Sequence, residues 1–96
     1  MRTTYLIAYD ICDDKRLRKV FQTMRNFGDH LQFSVFECDL NPSEKIELET
    51  ELSEIINHNE DQVIFVALGP AEGRGDRVIT ALGLPYMKLD APCYVV

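Results

Sequence analysis

The stretch His30-Leu31-Gln32-Phe33-Ser34-Val35-Phe36-Glu37-Cys38-Asp39-Leu40 lies between two helix-patterned segments, and its reading sets the strand count of the fold. Leu31, Phe33 and Val35 alternate with Gln32, Ser34 and Phe36. That period of two belongs to β-structure, so periodicity alone reads one long strand here. Upstream, Leu17, Val20, Phe21 and Met24 fall at i, i+3, i+4 and i+7, the apolar stripe of an amphipathic helix. Asp13 and Asp14 supply its N-cap and a negative first turn, and Gly28 reads as its stop. Lys15, Arg16, Arg18, Lys19, Gln22 and Arg25 form the opposite face, a pattern that is often only a solvated surface.

Before that helix, Thr3 to Asp10 is a run of β-favouring and apolar residues that reads as a short, largely buried strand ending on Asp10. A carboxylate at the C-terminal end of a strand is held rigidly yet faces an accessible edge, which is where sites are commonly built. By residue type alone it is equally an ordinary turn or helix-flanking residue.

Beyond Leu40, Asn41-Pro42-Ser43-Glu44 is a helix start, with Asn41 as cap and Pro42 at the first helical position, leading into Leu48, Leu52, Ile55 and Ile56. Glu44, Glu47, Glu49, Glu51 and Glu54 spread around this helix rather than converge, as on a solvated acidic face. Gln62 to Leu68 is the strongest strand pattern, Gly69-Pro70 reads as its break, and Val78 to Leu82 reads as its hairpin partner. The Arg74-Gly75-Asp76 between them reads as a turn. Residues 92–96 read as a short terminal strand, which needs an edge such as a second subunit would supply. The order strand, helix, strand, helix, hairpin implies an α+β sandwich with its helices on one face of the sheet.

At 96 residues the chain is one domain, and a domain this small buries only about 60–65% of its unfolded surface, so it gains from a partner. Cys12, Cys38 and Cys93 are odd in number and form no CxxC pair, which argues against a disulfide framework and for a reducing, cytoplasmic setting. The longest apolar run, Val63 to Leu68, is six residues, far short of a membrane span, and the N-terminus lacks a signal-peptide pattern.

The net charge of −6 argues against a nucleic-acid partner when taken whole, but the charge is unevenly placed. Residues 1–36 hold six Lys or Arg against four Asp, residues 37–61 hold one Lys against nine acids, and residues 62–96 balance at three and three. The basic part therefore follows directly on Asp10, where the local field governs what approaches. No phosphate-binding loop, nucleophile elbow or zinc-protease motif occurs. His30 and His58 lie far from any acid or nucleophile at motif spacing and read as structural or surface residues.

Three fragments, in this order and spacing, carry a resemblance. They are Tyr9-Asp10-Ile11 closing the first strand, Asp13-Asp14-Lys15-Arg16 with Arg18 opening the helix, and Gln32-Phe33-Ser34-Val35-Phe36-Glu37-Cys38. With looser agreement over Asp61 to Leu68, Arg77 to Gly83 and the apolar C-terminus, the chain resembles the CRISPR-associated protein 2 family, small metal-dependent nucleases of CRISPR adaptation. The resemblance implies a ferredoxin-like βαββαβ sandwich with an extra C-terminal strand packed on the other subunit of a homodimer. That topology needs two strands between the helices, so it places a break near Phe33-Ser34.

By the same resemblance Asp10 is the catalytic and metal-binding residue, with Mg²⁺ or Mn²⁺ as cofactor. Arg16, Arg18 and Lys19 would contact the phosphates of RNA or DNA. Two functions follow: a dimeric endonuclease within the spacer-integration complex, or a non-catalytic scaffold that bridges CRISPR integrase subunits and holds prespacer DNA. Apart from the resemblance, such a fold could serve as a small-molecule regulatory module, but no Gly-rich phosphate loop joins the first strand to its helix. His30-Leu31 stand where many members carry an arginine before the Gln. Phe33, where Tyr or a polar residue is also common, is expected to affect packing rather than chemistry.

Overall fold

In the computed structural model, which describes residues 1–72 and 82–83, the elements run β1 (Thr3–Asp10), α1 (Asp14–Arg25), β2 (Asp29–Gln32), β3 (Val35–Leu40), α2 (Pro42–Ile55) and β4 (Gln62–Pro70). The single strand that alternation reads over residues 30–40 is thus two, divided by a turn at Phe33-Ser34. Nothing in the local sequence marks that turn with Gly, Asn or Pro. It is held from outside: the Tyr9 N–H donates to Ser34 O (3.0 Å) and the Tyr9 hydroxyl to Phe33 O (3.3 Å).

The four strands lie in the order β2-β3-β1-β4 with every neighbouring pair antiparallel. β1 and β2 therefore flank β3 and run alike, which is the split β-α-β arrangement of a ferredoxin-like sheet. The expected strands at Val78 to Leu82 and at residues 92–96 fall, save for Leu82, outside the described residues.

Local chemistry explains both helices. Asp13 caps α1 by accepting from Arg16 N (3.0 Å), with Asp14 in the first turn and Arg25 in the last, each complementing the helix dipole. Asn41 and Glu44 form a reciprocal capping box at α2, Glu44 N to Asn41 Oδ1 at 2.7 Å and Asn41 N to Glu44 Oε1 at 2.9 Å, and Pro42 opens the helix. Val20, Phe21 and Met24 from α1 and Leu48 and Leu52 from α2 meet Ile7, Tyr9, Phe36, Cys38 and Leu40 of the sheet in one core. The alternation of β1, β3 and β4 turns Leu6, Ala8, Val35, Ile64 and Val66 to the other face, where Ile64 and Val66 remain 46% and 45% exposed.

Two glycines act differently from their sequence reading. α1 ends at Arg25 with Asn26 as its cap, and Gly28 lies beyond the cap at a close approach of chains. A Cβ on Gly28 would overlap Cys38 Sγ and Glu37 O and come within 2.9 Å of Cys38 Cα. Gly69-Pro70 does not break β4, because the register shifts between Thr4 and Tyr5 and skips Leu68 as a bulge. Gly69 takes the positive φ of 110° that follows, and pairing continues with Thr3 opposite Pro70.

One acid fixes the far end of β1. The Asp61 side chain, fully buried just before β4, accepts from Cys12 N (2.9 Å), Asn57 N (2.8 Å) and Arg16 Nε (2.8 Å), and Arg16 Nη2 reaches its second oxygen at 3.3 Å. The segment leaving β1, the first turn of α1 and the loop after α2 are tied to one carboxylate. The Arg16 hydrogen bonds, followed by those of Cys12 and Asn57, hold that carboxyl well below the usual aspartate range against the opposing pull of burial.

Two outcomes follow from these contacts. Gly28→Ala should lower stability by about 1–3 kcal/mol, since its new methyl meets the Glu37 and Cys38 backbone as well as the buried Cys38 Sγ; an unchanged urea midpoint would refute that close approach. A depressed carboxyl contributes stability that is present above its ordinary pKa of 3.8 and lost as pH falls towards the lower folded value. Asp61→Asn should therefore be less stable than wild type at neutral pH, with the gap closing only below about pH 4. Urea midpoints taken across that range measure it, and a gap constant with pH would show that the ionised carboxylate is not what matters.

Candidate functional site

Asp10 ends β1, exposed, opposite Gln62 at the start of β4. Tyr9 before it points into the core, so alternation turns Asp10 to the helix-free face that carries Leu6 and Ala8. The ladder to β3 closes at Ala8 opposite Val35, and beyond it the Tyr9 N–H reaches Ser34 O (3.0 Å), which joins the β2–β3 turn to the residue before Asp10. The strand exit is thus bounded by Gln62 on one side and the Phe33-Ser34 turn on the other.

Beneath it the core is aromatic. Tyr9 stacks on Phe36 with centroids 6.3 Å apart, and burial pushes its hydroxyl up to about 12. His30 is a core residue, stacked on Phe36 (4.9 Å) and edge-on to Phe21 (5.0 Å). Its Nε2 lies 3.3 Å from Phe33 O, and because a carbonyl only accepts, Nε2 is the donor and the buried Nδ1 has no partner. His58, on the surface, lies with Nε2 3.0 Å from Ser53 O in the last turn of α2. Neither histidine lies at the strand exit.

The candidate cations separate into two kinds. Arg16 is three-quarters buried and engaged, with Nε and Nη2 on Asp61 and Nη2 also 3.1 Å from Glu60 Oε1. Its guanidinium closes the clamp around the strand exit. Arg18 and Lys19 are exposed and, among the described residues, enter no ion pair, as is true of Lys15. The α1 N-terminal half therefore presents Lys15, Arg18 and Lys19 to solvent, in the helix that follows Asp10 in the chain. Asp61, which organises this corner, carried no signal beyond an acid placed just before an apolar run.

A second group of acids lies elsewhere. A groove of about 380 Å³ is lined by Arg2, Asn26, Asp39, Glu44, Glu47 and Glu51, at the start of β1 and the end of α1. Arg2 pairs there with Glu44. Asp10 and the α1 N-terminus lie at the opposite ends of those same elements. Of metal donors, no three His, Cys, Asp or Glu side chains gather into a metal-binding group among the described residues. No helix among them is long and apolar enough to cross a membrane.

The family model for CRISPR associated protein Cas2 matches residues 2–73. A protein of Geobacter sulfurreducens named CRISPR-associated endoribonuclease Cas2 is 46% identical over 72 residues, 75% of this chain and 76% of the relative. One of Rhodospirillum rubrum, CRISPR-associated endoribonuclease Cas2 1, is 37% identical over 96% of this chain and 89% of its own length. The crystal structure of Streptococcus pyogenes Cas2 superposes with a TM-score of 0.66 at 31% identity, covering 79% of this chain and 98% of that one. With the ferredoxin-like strand order and a family match running from before β1 to beyond β4, this chain belongs to the family of CRISPR associated protein Cas2.

Proposed function

We propose that this chain is one subunit of a homodimeric, Mg²⁺-dependent endonuclease of CRISPR adaptation that cuts RNA. The supporting observation is Asp10: an exposed carboxylate on a rigid strand end, at the rim of a half-exposed apolar sheet face and followed in the chain by a helix whose Arg18 and Lys19 face solvent. The relatives named as endoribonucleases favour RNA over DNA. A second copy packed on the face of Leu6, Ala8, Val35, Ile64 and Val66 would bury that apolar surface and bring two Asp10 carboxylates towards a common axis. A domain this small also gains stability from such burial.

A single carboxylate per chain suits Mg²⁺, which is commonly held by one or two carboxylates and keeps its remaining positions for water and phosphate. When bound, the ion supplies Lewis acidity towards a phosphoryl oxygen. The protein's own residues do the rest. Arg18 and Lys19 neutralise flanking phosphates without reading bases, and the Arg16–Asp61 clamp keeps Asp10 and the α1 N-terminus in fixed relation.

A second reading has an observation of its own. Among the described residues Asp10 has no supporting group of metal ligands and no histidine beside it, as suits a dimer that bridges CRISPR integrase subunits and holds prespacer DNA without cutting. The acidic surface of α2 would then be the docking face.

With Mg²⁺, wild type should cut a labelled single-stranded RNA, and Asp10→Ala or chelation should slow it by at least about 100-fold. Equal rates for wild type and Asp10→Ala would remove Asp10 from the chemistry, and spacer acquisition undiminished in an Asp10→Ala strain would favour the bridge. In sedimentation equilibrium wild type should weigh twice the chain mass and Val66→Glu once; a Val66→Glu dimer would place the interface on another face.

A further inference from the structure

Phe33 is the one large aromatic side chain among the described residues that is mostly exposed, at 61%. Its sequence position suggests packing, but its side chain stands on the β2–β3 turn in solvent. Its backbone, by contrast, is fixed: Phe33 O takes the Tyr9 hydroxyl (3.3 Å) and lies 3.3 Å from His30 Nε2, and Ser34 O takes the Tyr9 N–H (3.0 Å). Both side-chain donors are themselves buried and wedged into the Phe21–Phe36 stack. A turn held in this way displays its aromatic ring without a further ordering cost on binding.

The turn's place matters as much as its rigidity. Tyr9, which anchors the turn through its N–H and its hydroxyl, is the residue immediately before Asp10. Exposed aromatic rings next to a cationic surface stack on unpaired bases, and they do so whatever the sequence because every base has a π-face. Resting on the nuclease reading above, we propose that Phe33 is a stacking platform that receives an unpaired base of an RNA strand whose backbone lies at Asp10. The strand would be gripped twice, by phosphate contacts to Arg18 and Lys19 and by the base on Phe33. Bases inside a duplex are already stacked and paired, so the residue selects single-stranded over double-stranded substrate.

The test uses an oligoribonucleotide carrying 2-aminopurine, alone or annealed to its complement, with divalent cations chelated so that binding is read without cutting. Wild type should quench the single-stranded probe, and Phe33→Ala should weaken its binding on the order of 5- to 100-fold and abolish the quench. Phe33→Tyr should restore both, while duplex affinity and dimer mass stay unchanged in all three proteins. Phe33→Ala binding the single strand within twofold of wild type, with cutting at Asp10 retained, would overturn the platform and leave the nuclease reading standing. Equal loss on both probes together with a halved mass would overturn it by assigning Phe33 to the subunit contact. A wild type that neither binds nor cuts would overturn both.

Discussion

The buried carboxylate of Asp61 is the contact on which the working end of this molecule depends. A charged side chain with no solvent exposure is tolerated only where its lone pairs are taken up, and here Cys12, Asn57 and Arg16 take them up from three separate segments. The result is a rigid corner where β1 leaves the sheet, α1 begins and β4 enters. Asp10 is two residues from Cys12 and pairs opposite Gln62 in the β1–β4 ladder, so its placement follows from that corner and that ladder. Arg16 is best understood the same way: as a cation that completes a structural charge pair, with Arg18 and Lys19 left to face solvent.

What could be seen in the sequence divides by range. Both helices were legible because their signals are local: Asp13 before Leu17, and Asn41-Pro42-Ser43-Glu44 before Leu48, name their own caps. Asp10 at the end of a strand was legible for the same reason. The turn at Phe33-Ser34 was not, since no Gly, Asn or Pro marks it and the chain is held there by Tyr9, 24 positions away in sequence for its hydroxyl contact. Only the family resemblance placed it. Likewise Gly69-Pro70 looks like a stop, but a bulge at Leu68 and the positive φ of Gly69 carry β4 past it. The role of Asp61 was invisible because each of its partners lies in a different segment.

The aromatic core explains why an exposed strand end can be precise. Tyr9, Phe36, His30 and Phe21 form a continuous stack that runs from β1 through β3 to α1. Stacked and edge-on rings resist sliding more than aliphatic contacts do, because each pair has a preferred geometry. The stack meets the surface through hydrogen bonds to the Phe33-Ser34 turn and through Arg25, whose guanidinium lies 5.8 Å over the Phe21 ring. Order in the core is thereby passed to a loop that would otherwise be the most mobile part of a small sheet.

The charge pattern then decides how a polyanion could be held. The exit end of β1 carries Asp10, Asp13, Asp14, Glu60 and Asp61 together with the solvent-facing Lys15, Arg18 and Lys19 of α1, so within a net charge of −6 these cations are what could meet phosphates there. With Arg16 committed to Asp61 and Glu60, few cations remain, and counterion release from so few phosphate contacts is modest. Binding by phosphates alone would be weak and indifferent to strandedness. A contribution that is neither ionic nor sequence-reading is what the site lacks, and a rigidly presented aromatic ring at the same strand end is the side chain able to supply it. Duplication of the site by a second copy would double that grip, while the acidic groove stays at the far end of each subunit's β1.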